Sequence, residues 1–195
     1  STLFPYTTLF RSDTALQRIG DAAQRTEFER GFFQIAERIC GAVQAENAQA
    51  AATQLRAQLR KIAENCIGMP FPITLNLTIN RFMMLLQNQL VEQNLANWRH
   101  ITQADYSRTL SAAGTMEDYL AAGDQIAAEL VDHARELRQD QRDGLLRDIR
   151  AYVMENATDM NMGLTAVARE FRLKPREAAE TFRAYYGESI NDVIH

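Results

Sequence analysis

The chain is expected to be all-α, a helical bundle followed by a small unit of three helices. Three observations predict this. Ala, Leu, Gln, Glu and Arg, the strong helix formers, are abundant, against four prolines and nine glycines in 195 residues. Apolar residues recur at the 3.6-residue helical period through most of the chain. After Ser12 no run shows the sustained alternation of a half-buried strand.

Taken in order, residues 26–138 read as a set of amphipathic helices. The first carries Phe28, Phe32, Ile35, Ile39 and Val43 on one stripe, and the second Ala48, Ala52, Leu55, Leu59, Ile62 and Cys66. The short link at 45–47 makes them antiparallel neighbours. Pro70 and Pro72 then block helical continuation. A long third helix is expected over 73–96, with Leu75, Ile79, Phe82, Met83, Leu86 and Leu90 inward. Residues 98–101 read as a connector and 104–113 as a short helix ended by Gly114. Thr115 is placed to cap the next helix in Thr-x-x-Asp118 fashion, with Met116, Tyr119, Leu120, Ile126, Leu130, Ala134 and Leu137 on one face. Around 139–144 the apolar stripe lapses and charge takes over, which reads as the domain boundary. Met69, Phe71, Phe82, Met83, Met84 and Trp98 could line an apolar pocket, but such residues more often build core.

From Leu145 the pattern is a helix, a loop and two short helices around a tight turn. Leu164, Val167, Ala168 and Phe171 fall at i, i+3, i+4 and i+7, giving the first short helix one apolar face. Arg172, Leu173 and Lys174 make the break, and Pro175 suits a first helical position. The second helix is expected over 175–186, with Ala178 and Phe182 inward and Gly187 closing it. Ser189 with Asp192 three residues on fits a capping box for a following helix. Two short helices at this spacing, steadied by a third, fit a helix-turn-helix whose second helix can enter the DNA major groove.

The anchors Leu164-Thr165-x-Val167-Ala168-x-x-Phe171-x-Leu173-x-Pro175, Phe182 and Gly187-x-Ser189-Ile190-x-Asp192-x-Ile194 closely resemble the first helix-turn-helix of AraC/XylS-type transcription regulators. Asp159-x-Asn161-Met162, with Ile149, Tyr152 and Val153, is similar to that family's lead-in segment. The resemblance covers 145–195 and implies a homeodomain-like, three-helix DNA-binding domain over 139–195. It also implies two helix-turn-helix units joined by a long helix, so 139–195 is expected to hold the first unit only, truncated. More loosely, 13–138 resembles the helical segment preceding the DNA-binding unit in large membrane-linked or response-regulator-type members. That implies a signal-relay or dimerisation module rather than a ligand-binding barrel. At the other end, TLFPYTTLFRS over 2–12 resembles the direct translation of a standard sequencing-adapter oligonucleotide, so 1–12 is set outside the fold.

The resemblance also implies which residues touch DNA. With Ala178 and Phe182 inward, the outward positions are Arg176, Ala179, Glu180 and Arg183. Arg176, Ala179 and Glu180 are the base-reading candidates, Arg176 first because a guanidinium can bond guanine O6 and N7 together. Thr165, Arg172, Lys174 and Arg183 are the phosphate candidates. Four positions depart from the family pattern. Glu180 stands where a basic or amide residue is common, Ala178 and Thr181 replace larger aliphatics, and Gly163 holds an N-cap where serine is usual.

Charge limits the other classes. The net charge of −4 excludes a broadly basic nucleic-acid coat. Arg169, Arg172, Lys174, Arg176 and Arg183 nevertheless cluster around the turn and second helix, opposed by Glu170, Glu177 and Glu180, which permits phosphate contact with weak non-specific affinity. Cys40 and Cys66 read as small buried hydrophobes rather than a redox pair. His100, His133 and His195 lack clustered ligands, so no metal is expected, and no cofactor. No stretch reaches the ~18 apolar residues of a membrane span.

The expected function is a sequence-specific, DNA-binding transcription regulator, cytoplasmic and not an enzyme. Its partners would be double-stranded DNA, a second copy through the helical region, and an upstream sensor or membrane anchor in a longer parent. The alternative is a helical signalling or dimerisation module whose helix-turn-helix does not bind DNA.

Overall fold

The computed structural model describes residues 22–66, 73–97, 106–159 and 161–194, with side chains from residue 30 onward. Every element among them is a helix: α1 (Ala22–Gln44), α2 (Ala48–Asn65), α3 (Ile73–Glu92), α4 (Tyr106–Ser111), α5 (Met116–Glu155), α6 (Leu164–Glu170), α7 (Pro175–Tyr186) and α8 (Ile190–Ile194). The chain divides into two compact units, Ser1–Leu137 and Arg138–His195, and the division falls inside α5.

In the first unit, α1 buries Phe32, Ala36, Ile39, Cys40 and Val43, the i, i+4, i+7, i+8, i+11 stripe of a helix covered on one side. The chain reverses at Glu46, which takes a left-handed φ of 54°. The Asn47 amide bonds back to Ala42 O at 2.9 Å and that of Glu46 to Val43 O at 3.0 Å, closing a Schellman turn. Asn47 then caps α2, its Oδ1 accepting from the Ala50 amide at 2.9 Å. On α2, Leu55, Leu59, Ile62 and Ala63 are buried. Gln58 lies among them at 4% exposure with its Nε2 unpaired, a polar group that the surrounding apolar burial must offset.

The buried set of α3 is Leu75, Ile79, Phe82, Met83, Leu86 and Leu90, and Phe32 meets Phe82 edge-on at 5.3 Å. The helix stops at Glu92, short of the expected Ala96. Asn94 adopts a φ of 56°, and the Leu95 amide bonds Leu90 O at 2.8 Å. Asparagine tolerates the left-handed region, so it ends the helix and turns Leu95 and Ala96 back into the core. Phe82 and Met83 are core, and Met84 is 59% exposed, so these three do not line a pocket. Met69, Phe71, Trp98 and the proline break fall outside the described residues, as do 1–12, His100, His195 and the side chain of Phe28.

α4 buries Tyr106 and Leu110. At the start of α5 the Asp118 amide donates to Thr115 Oγ1 at 3.0 Å, and the Thr115 hydroxyl donates to the Asp118 carboxylate at 2.7 Å. Gly123 brings α5 against α2, because a Cβ there would stand 2.6 Å from Leu59 Cδ1. Arg56 and Asp124 join the same two helices in an ion pair. Beyond Ala134 the two helices expected on either side of 139–144 are one. That stretch is exposed over 139–142 and holds no proline, and its residues sustain helix without an apolar stripe.

The second unit comprises the rest of α5 with α6, α7 and α8. Leu146, Ile149, Val153, Val167, Phe182 and Ile190 form its buried cluster. Among the described residues no helix is long and apolar enough to cross a membrane.

Candidate nucleic-acid interface

The surface of interest is the turn between α6 and α7 and the outer face of α7. Gly163 precedes α6 in extended conformation and offers no side-chain cap. After α6 the chain turns at Arg172, whose φ is 55°. The Leu173 amide bonds Ala168 O at 2.8 Å and the Arg172 amide bonds Arg169 O at 3.3 Å, the same Schellman turn seen at Glu46 and Asn94. Lys174 is extended, Pro175 opens α7, and Gly187 ends it at φ 76° with its amide on Arg183 O at 2.9 Å. Ser189 and Asp192 form the reciprocal capping box of α8: the Ser189 amide donates to Asp192 Oδ2 at 2.8 Å and the Asp192 amide to Ser189 Oγ at 3.1 Å.

What orients α7 is its inner face. Ala178 and Phe182 are buried, Phe182 completely, and Phe182 packs on Tyr186 at 4.7 Å between ring centres. Tyr152 on α5 meets Phe171 edge-on at 5.6 Å. Because Ala178 and Thr181 are small, an open groove of about 540 Å³ remains between the α5 tail and α7, floored by Leu145, Leu146, Ile149 and Leu173.

Arg176, Glu180 and Arg183 are exposed along the outer face, and Ala179 beside them is half-buried. Arg172 and Lys174 are exposed in the turn, and Thr165 is exposed in the first turn of α6. Two candidates are brought together: Arg176 Nε donates to Glu180 Oε1 at 2.8 Å. The foremost base-reading candidate is thus paired on its own helix.

Arg150 was not singled out by the sequence reading. It lies 4.7 Å over the Tyr186 ring and 3.4 Å from the Glu188 carboxylate, fastening the end of α7 to α5. Its partners stand far along the chain, beyond the three- and four-residue spacings that local helix rules address. The left-handed Arg172 did carry a signal, a helix stop at 171–173 with no glycine in it.

Cys40 and Cys66 are free and buried. Burial, with Glu37 adding, pushes the Cys40 thiol up to about 12, and burial also raises Cys66 against the lowering effect of its Thr78 hydrogen bond. Both are poor thiolates at neutral pH. Among the described residues no group of three His, Cys, Asp or Glu is placed to hold a metal ion. Comparison with known proteins found no matching family model, no matching curated protein and no matching solved structure.

Proposed function

We propose that the chain is a sequence-specific, DNA-binding transcription regulator of the AraC/XylS type, with α6, the turn and α7 as a helix-turn-helix and α7 as its major-groove helix. The observation that carries this reading is the two-sidedness of α7. Ala178 and Phe182 hold it from within, while Arg172, Lys174, Arg176 and Arg183 are all solvent-exposed on the turn and outer face. A helix held on one side with an arginine near its N-terminus suits base reading, and cations flanking it suit phosphate contact.

The test is a titration of the 195-residue chain against a labelled duplex at two ionic strengths, alongside the Arg172→Ala/Lys174→Ala double variant. Weak binding is expected at about 50 mM salt, with a logarithmic salt slope that falls by roughly two in the variant. No binding at low salt, or a variant indistinguishable from the parent, would sink the proposal. The Arg176–Glu180 pair favours a second reading, a helical signalling or dimerisation module without DNA affinity, because it neutralises the reading face. Self-association with no duplex binding in the same titration is its signature.

A further inference from the structure

The energy of the Arg176–Glu180 pair is small, but the atoms it uses matter. The two side chains are 89% and 66% exposed, and such i,i+4 surface pairs contribute little in water. The bond occupies Arg176 Nε. It leaves the two terminal guanidinium nitrogens as a fork at the tip of the side chain. Two parallel N–H donors at that spacing match two adjacent acceptors, and guanine presents N7 and O6 side by side in the major groove.

We propose that Glu180 is a positioning residue for Arg176, so that α7 selects a G·C pair through an Arg176–Glu180 unit rather than through a lone arginine. The inference rests on the reading of α7 as a DNA-recognition helix. A free arginine surrenders considerable rotamer freedom when it docks, and one braced at Nε surrenders less. As the groove excludes water the local dielectric falls, so the brace strengthens where it is needed. The unit is also neutral. It adds discrimination without adding phosphate attraction, which is left to Arg172, Lys174 and Arg183.

That division of labour has an unusual signature. Removing Glu180 exposes a bare cation on the reading face, so affinity for arbitrary duplex rises and the salt slope steepens by about one. Guanine selectivity moves the other way, because the fork is no longer held. A carboxylate serving only as a solvated helix partner would leave selectivity unchanged.

The experiment equilibrates the 195-residue chain with a pool of randomised duplexes at low salt and sequences the bound fraction. Glu180→Ala, Glu180→Gln and Arg176→Ala are compared with the parent, and circular dichroism checks that these exposed substitutions leave the helices intact. The parent should enrich guanine about tenfold at one position, and Arg176→Ala should abolish that enrichment. Glu180→Ala should lose most of it while binding the unselected pool more tightly. Glu180→Gln should keep part of it, since a carboxamide oxygen still accepts from Nε. If Glu180→Ala retains the parent's guanine preference, the positioning role is wrong while the reading of α7 stands. If the parent enriches no position, the DNA assignment fails and this inference with it.

Discussion

The two units are held together in different ways. The first has an extended core fed by α1, α2, α3, α4 and the first part of α5, with Ile39, Leu55, Leu59, Ile62, Ile79, Phe82, Leu86, Leu110 and Tyr119 all fully enclosed. The second depends on a small cluster in which Phe182 is the one fully buried aromatic. Local devices occur in both, so the Schellman turn at Arg172, the glycine stop at Gly187 and the Ser189–Asp192 box carry more of the small unit only because its core is smaller. A broad core spreads its stability over many side chains, whereas a small one concentrates it. The small unit keeps an outer face on α7 and its turn, where Arg172, Lys174, Arg176 and Arg183 are exposed.

The largest effect expected from this contrast is at Phe182. Phe182→Ala should cost about 3–5 kcal/mol, because Ala178 and Thr181 supply little other volume. Residue-resolved amide exchange should show protection lost over 164–186 while α1, α2 and α3 keep theirs. Loss in both units together, or in neither, would break the comparison.

Alkaline pH should act on the opposite unit. Burial raises the Cys40 thiol from 9.0 to about 12 and the Tyr106 phenol from 10.0 to about 12, with Glu129 adding to the latter. Cys66 and Tyr119 are raised as well, again chiefly by burial. All four belong to the first unit. A raised folded-state value means full stability below the unfolded value and a loss as pH rises through the folded one. The first unit should therefore weaken between about pH 9 and 12, by on the order of a few kcal/mol. Amide exchange and thiol labelling followed across that range would check it. Equal labelling of Cys40 in native and unfolded chain at neutral pH would contradict its enclosure.

The smallest effect concerns the helix stop that both units share. Glu46, Asn94 and Arg172 each hold a left-handed backbone without being glycine. The conformation costs a side-chain-bearing residue about 1–2 kcal/mol, part of which glycine returns through its freer unfolded state. Arg172→Gly should thus raise stability by up to about 1 kcal/mol, read as a higher urea midpoint, and on the proposed reading it should also weaken duplex binding through the lost cation. A lower midpoint would mean the arginine side chain contributes packing that its exposure does not suggest.

How much of this was legible depended on the range of the interaction. The inward set of α3 could be read directly, since six apolar residues at helical spacing admit one buried face. Its end could not, because Asn94 follows a run that still favours helix, and the left-handed turn is decided by burial of Leu95 and Ala96. The stretch 139–144 reads as a domain boundary, and the two units divide beside it at Leu137 and Arg138, yet one helix runs through. Residues 139–142 are exposed, and a helix can cross such a stretch without an apolar stripe. At the candidate interface the outward positions of α7 followed from Ala178 and Phe182 facing in. Ala179 proved half-buried, and the union of Arg176 with Glu180 had gone unnoticed although their spacing allows it.

The sequence by itself determined the features that act within about one helical turn. These are the 3.6-residue apolar stripes, the caps at Thr115 and Ser189, the stop at Gly187 and the inward side of α7. Only the tertiary structure decided that Arg150 would lie over Tyr186 and meet Glu188, that Gly123 would admit Leu59, and that Gln58 would be enclosed among apolar neighbours. The physical reason is chain entropy. Contacts between residues three or four apart come with the helix itself, whereas contacts tens of residues apart exist only once the intervening loops have closed and the packed core repays that closure.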